Sequence, residues 1–108
     1  MISARFDRDG EKLTLSVLGH AHYSEGQADI VCAAVSSLVL SLAGYLTHCT
    51  ELYTVRGIGH GYALIECSDE GEEAMKMTCL GLMQIQDMYP QCIQVINQAL
   101  SLVGGSPS

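Results

Sequence analysis

With 108 residues, 48% of them hydrophobic and 16% charged, the chain has apolar material for one packed core and too little length for a second, so it is read as a single domain over residues 1–108. Five Lys and Arg stand against 12 Asp and Glu, a formal net charge of -7, whose field repels phosphate backbones, and direct nucleic-acid binding is not expected. The same field would attract a Lys/Arg-rich protein or its unfolded tail.

Ile2, Ala4 and Phe6 alternate with polar neighbours, Asp9-Gly10 supplies a turn, and Leu13, Leu15 and Val17 alternate with Lys12, Thr14 and Ser16. That is the pattern of a β-hairpin. Residues 19 to 28 follow as a Gly-bounded polar loop with little apolar content to anchor it. Asp29 is placed as an N-cap, since its carboxylate can accept from free first-turn amides, and the apolar-rich run from Ile30 to about His48 reads as a helix with Cys32 at its third position. From Ile30 to Thr50 there is no Asp, Glu, Lys or Arg, and the length approaches what a bilayer demands. A membrane span is nevertheless set aside, because Ser37, Ser41, Gly44 and His48 recur at helical spacing and leave a polar stripe on an otherwise buried helix.

Leu52 to Val55 and Tyr62 to Cys67 read as a second pair of strands, joined through Gly57, Ile58, Gly59, His60 and Gly61. Asp69 with Glu72 makes a capping box, and Glu70 and Glu73 add negative charge where the helix dipole favours it. Met75, Cys79, Leu82, Met83 and Gln86 give a second helix its inner stripe to near Met88. Pro90 ends it, Cys92 to Ile96 return as a last strand, and the tail from Gly104 is expected to be loose. The order β-β-α-β-β-α-β implies an α+β fold, two helices packed on a mainly antiparallel sheet.

The five cysteines, at positions 32, 49, 67, 79 and 92, are odd in number and form no CxxC pair, which argues against a disulfide framework or a zinc finger. Met1 to Asp7 lacks the apolar stretch of a secretion signal, so a cytoplasmic location with reduced thiols is expected. His20 falls at the end of a predicted strand and Cys32 in the first turn of a predicted helix. A helix start and a neighbouring imidazolium both lower a thiol pKa, and His20 could take the thiol proton as general base and return it to a leaving amine as general acid. Amides near the helix start, including that of Cys32, and Gly26 in the loop, are candidates for an oxyanion site.

Core packing and a metal site are the two rival readings of these residues. A Cys between Val31 and Ala33 is more often core packing than a nucleophile. His20, His22 and Cys32 are three groups zinc accepts, with His60 further along, but no fourth ligand or supporting pattern is evident. No metal and no cofactor are therefore expected. Cys49, Cys67, Cys79 and Cys92 are read as packing.

The string Gly19-His20-Ala21, then a Gly-containing loop, then Asp29-Ile30-Val31-Cys32-Ala33-Ala34-Val35-Ser36, resembles the ribosomal-processing cysteine protease family, Prp. The motif covers residues 19 to 36, and the order of elements is similar over nearly the whole chain. This resemblance implies Cys32 and His20 as the catalytic pair, a homodimer, and removal of an N-terminal extension from large-subunit ribosomal protein bL-twenty-seven during ribosome maturation. It also implies a cut after a short apolar motif ending in phenylalanine, and a mobile substrate loop matched here by Ala21, His22, Tyr23, Ser24, Glu25, Gly26, Gln27 and Ala28. Asp29, as a cap, and Ser36, one turn after Cys32 on the same helix face, are taken as supporting residues. Two rival functions remain on this reading: a non-catalytic ribosome-associated module that holds a basic protein tail, and a small metal-binding protein.

Overall fold

The structure, a computed structural model, describes residues 1–19, 25–49, 53–59 and 61–102, with residues 25–29 and 53–59 given by their backbone alone. Alternation in the first eighteen residues produces the hairpin at the middle of the sheet. Strands β1 (Ile2–Asp9) and β2 (Lys12–Leu18) pair antiparallel from Ser3 opposite Leu18 to Asp9 opposite Lys12, around a turn with Gly10 at φ 65°. Because side chains alternate with a period of two, Ile2, Ala4, Phe6, Leu13, Leu15 and Val17 all fall on one face, and all are buried.

Strand β3 (Tyr53–Gly59) and strand β4 (Tyr62–Cys67) form the second antiparallel hairpin. β3 is longer than the expected Leu52 to Val55: Gly57, Ile58 and Gly59, read as connection, pair with Leu64, Ala63 and Tyr62. The register shift between Val55 and Gly57 accommodates one extra residue, a bulge that lets a glycine-containing segment remain on the ladder despite its weak strand propensity. β4 pairs antiparallel with β2, and β5 (Ile93–Asn97) pairs parallel with β1. The sheet order is β3-β4-β2-β1-β5. With one parallel pair in a sheet otherwise antiparallel and both helices packed on its buried face, the fold is α+β in the expected order.

Helix α1 spans Glu25–Cys49, which corrects its expected start. Residues 25 to 28, read as loop, form its first turn, and Asp29 is its fifth residue rather than a cap. Glu, Gln and Ala are good helix formers, and an acidic first residue suits the positive end of the dipole, so polarity here marks a helix beginning and not a connection. The expected capping box is also corrected. Ser68 Oγ accepts from the Glu70 amide at 3.4 Å and opens a 3-10 turn, Asp69–Gly71, ahead of α2 (Glu72–Met88). The carboxylates of Asp69 and Glu72 instead receive the Arg8 guanidinium at 3.1 and 3.0 Å, tying β1 to the start of α2.

Val31, Val35, Val39, Leu42, Ala43 and Leu46 of α1 join Met75, Cys79 and Leu82 of α2 over the apolar sheet face. The helices run antiparallel: Leu46 lies against Gly71, and Leu38 against Gly81, where an added Cβ would sit 2.9 Å from Leu38 Cδ1. Ile30–Cys49 is long and apolar enough to cross a membrane, but here its inner stripe is core. Ser37, Ser41 and His48 are exposed as the polar stripe predicts. The remainder is not uniformly buried, however, because Ile30, Leu40 and Tyr45 are exposed with them.

Candidate active site

β2 ends beside the starts of three other strands: Leu18 pairs with Ser3 of β1 and with Tyr62 of β4, and Ile2 pairs with Ile93 of β5. The next residue, Gly19, has φ 99° and donates its amide to the Gly61 carbonyl at 2.9 Å. An L-residue is strained at that φ, and the Cβ it would bring runs into the Met1 carbonyl oxygen and lies 3.4 Å from the carbonyl carbon. The chain therefore leaves the sheet toward position 20 through a constrained point.

His20, Ala21, His22, Tyr23 and Ser24 lie outside the described residues, as does His60. Glu25, Gly26, Gln27 and Ala28 belong to the first turn of α1. Cys32 is the eighth residue of that helix, half-buried, with its thiol free and packed against the core cluster. Ser36 is exposed one turn further on.

The position of Cys32 changes part of the electrostatic argument. Unpaired amides and the dipole act within the first turn of a helix, and Cys32 lies beyond it, with its own amide inside the helical ladder. The helix start thus offers this thiol no unpaired amide, and the Cys32 amide, bonded within the helix, is not free to serve an oxyanion.

Topology places Cys32 at the Gly19 end of the sheet. Leu46 contacts Gly71, which borders Cys67 at the far end, where Cys67 pairs with Leu13. Fourteen residues of helix separate Cys32 from Leu46, about 21 Å at the helical rise. A groove of about 490 Å³ opens at the same end as Gly19, lined by Met1, Gln86, Asp87, Pro90, Ile93 and Gln94.

The other thiols differ in chemistry or place. Burial pushes Cys67 up to about 11, helped by the charges of Asp69 and Glu72 and opposed by Arg8. Burial alone pushes Cys79 up to about 11. Both stay protonated at neutral pH, and Cys92 is fully enclosed. Cys49 is exposed but ends α1, and β3 begins soon after it opposite Cys67, at the far end of the sheet. Among the described residues no group of three His, Cys, Asp or Glu could hold a metal ion. The constraint at Gly19 was not anticipated from sequence; its trace there is a glycine between a strand and a histidine.

A half-buried thiol thus sits on the helix that covers the sheet, at the end where β2 stops and His20 follows in sequence. A family model described as Cysteine protease Prp matches residues 1–94, and the chain belongs to that family of cysteine proteases. The fold matches that of S. aureus ribosomal processing protease Prp in complex with a covalently linked product peptide, at a TM-score of 0.78 and 22% identity over 91% of this chain and 100% of that one. The same S. aureus protease in complex with a substrate peptide gives 0.77 and 21% with the same coverage. A Streptococcus mutans protein, SMU.848, gives 0.64 and 26% over 91% of this chain and 96% of that one. None of the curated proteins matches the chain.

Proposed function

We propose that this cysteine protease removes the N-terminal extension of large-subunit ribosomal protein bL-twenty-seven, with Cys32 as nucleophile and His20 as its base. One observation carries the assignment of Cys32: of the five thiols, it alone is both reachable and at the end of the sheet where β2 runs into His20. In the reaction, His20 takes the Cys32 proton and the sulfur adds to the scissile carbonyl carbon. Collapse of the tetrahedral adduct breaks the C–N bond, the amine leaves with the proton from His20, and a thioester remains. Water, deprotonated by the same imidazole, then releases the new carboxylate and restores the thiol.

The relatives holding a substrate or product peptide are described as ribosomal processing proteases, which favours a peptide substrate from a ribosomal precursor here. A formal charge of -7 suits a basic precursor and steers its encounter. The cut after an apolar motif ending in phenylalanine, the cytoplasmic location and a single-domain organisation belong to the same reading. So do a substrate-covering role for the segment Ala21 to Ala28, whose last four residues are the first turn of α1, and Ser36 as a neighbour of the thiol.

A homodimer is part of this proposal, and the outer face of the helices favours it. Ile30, Leu40, Tyr45, Met77 and Leu80 are exposed on the two helices, Met77 by 73%, and Tyr45 and Met77 line a mostly apolar cleft of about 270 Å³ between α1 and α2. Exposed apolar surface of this kind marks interaction sites.

The test incubates the purified protein with the extended precursor and locates the cut by mass spectrometry. Cys32→Ala is expected to abolish cleavage with the fold retained; undiminished cleavage would end the assignment. If the wild-type protein binds the precursor and never cuts it, the non-catalytic binding module replaces this reading.

A further inference from the structure

We propose that Gly19 is a positioning residue for the base, a strand-end pivot that aims His20 and tolerates no L side chain; this rests on the assignment of His20 above. The end of β2, the turn before β4 and the start of β1 meet at Gly19, and β5 begins one peptide unit beyond. Gly19 closes β2, its amide is held by the Gly61 carbonyl at 2.9 Å in the β3–β4 turn, and its α-carbon faces the Met1 carbonyl at the start of β1. The Met1–Ile2 peptide has little room to retreat, because its N–H donates to the Cys92 carbonyl at 2.9 Å as β5 begins. One peptide unit is thus held between β5 on its N–H side and Gly19 on its carbonyl side.

Two separate requirements meet at this position. The φ of 99° belongs to glycine, and the space where an L-Cβ would project is filled by backbone, which moves less readily than a flexible side chain. Either violation rotates or displaces the peptide that carries the next Cα, about 3.8 Å away. Because a base acts only within hydrogen-bond reach of the proton it takes, a displacement of about 1 Å there costs about a hundredfold in rate. The turn at Gly61, itself at φ 90°, supports the pivot from the other side.

The test compares wild type, Gly19→Ala and His20→Ala as full-length proteins, with a fluorogenic precursor peptide and with iodoacetamide labelling of Cys32 followed over pH. Gly19→Ala is expected to lose about a hundredfold in kcat while KM changes by less than about threefold. Its Cys32 labelling profile should shift to that of His20→Ala, which loss of stability alone would not produce well below the melting temperature. A folded Gly19→Ala with wild-type kcat and an unchanged labelling profile overturns the proposal and leaves the catalytic pair standing. Wild-type activity in His20→Ala instead removes the catalytic reading itself. Should Gly19→Ala not fold, D-alanine is placed at position 19 by ligating a synthetic 1–31 thioester to the fragment beginning at Cys32. D-alanine accepts the positive φ and directs its methyl away from the L-Cβ site, so activity within about tenfold of wild type is expected; inactivity of the folded ligated protein would refute the pivot.

Discussion

Gln86 Oε1 of α2 accepts the Val95 amide of β5 at 2.6 Å. Among the described residues β5 is an edge strand, paired with β1 alone, and the ladder bonds on either side, Ile2 N–H to the Cys92 carbonyl and Gln98 N–H to the Phe6 carbonyl, leave this amide facing away from β1. A helix side chain therefore satisfies a donor that would otherwise be open for another strand to pair with. Gln86→Ala is expected to lower stability by about 1–3 kcal/mol, the cost of an orphaned, partly buried donor. Urea denaturation measures this, and light scattering should show slow growth beyond the wild-type mass; unchanged values in both would assign the bond no role.

Stability should fall at alkaline pH through two buried thiols. Cys67 and Cys79 are held neutral to about 11 in the folded chain, against an ordinary value of 9.0. Between these values the unfolded chain has released protons that the folded one retains, so the unfolded state binds fewer protons and stability drops as pH rises. The contribution is complete below about pH 9 and gone above about pH 11. Melting temperature followed by circular dichroism across that window should decline in wild type, and less steeply in Cys79→Ala.

Thiol accessibility separates the five cysteines. Brief alkylation of the native protein near neutral pH, mapped by peptide mass spectrometry, is expected to modify Cys32 and Cys49 and spare Cys67, Cys79 and Cys92. In urea all five should react. Labelling of Cys92 before Cys32 would contradict the packing described here.

The helix face should set the oligomeric state. Leu40→Glu and Met77→Glu each place a charge on exposed apolar surface, where a dimer would have to bury it unpaired. Combined, they are expected to weaken self-association at least tenfold, about 1.4 kcal/mol, read as a shift toward monomer mass by light scattering on a sizing column. Monomeric wild type at micromolar concentration would remove the dimer from the proposal.

Much of the architecture is legible along the chain because it rests on local chemistry. Alternation at Ile2, Ala4, Phe6 and at Leu13, Leu15, Val17 dictates two half-buried strands, and Asp9-Gly10 dictates the turn between them. The stripe of Met75, Cys79 and Leu82 likewise selects the buried face of α2. The family that the motif around Cys32 suggests is the one whose model matches residues 1–94. What local pattern misjudged were boundaries: polar residues 25 to 28 read as loop but serve as the first helical turn, and Gly57 to Gly59 read as connection but are held in β3 by pairing with β4.

Tertiary structure alone decided the relations between distant residues. That Arg8 takes the carboxylates of Asp69 and Glu72, that Gln86 covers β5, and that Met1, Gly61 and Cys92 close around Gly19 depend on strand order. Strand order is set by how apolar faces pack together, not by any neighbour in the chain. Types and faces of elements follow from short-range periodicity, which a single sequence carries in full. The environment of a thiol or a strand end is the sum of contacts between segments far apart, and it exists only once the sheet has assembled.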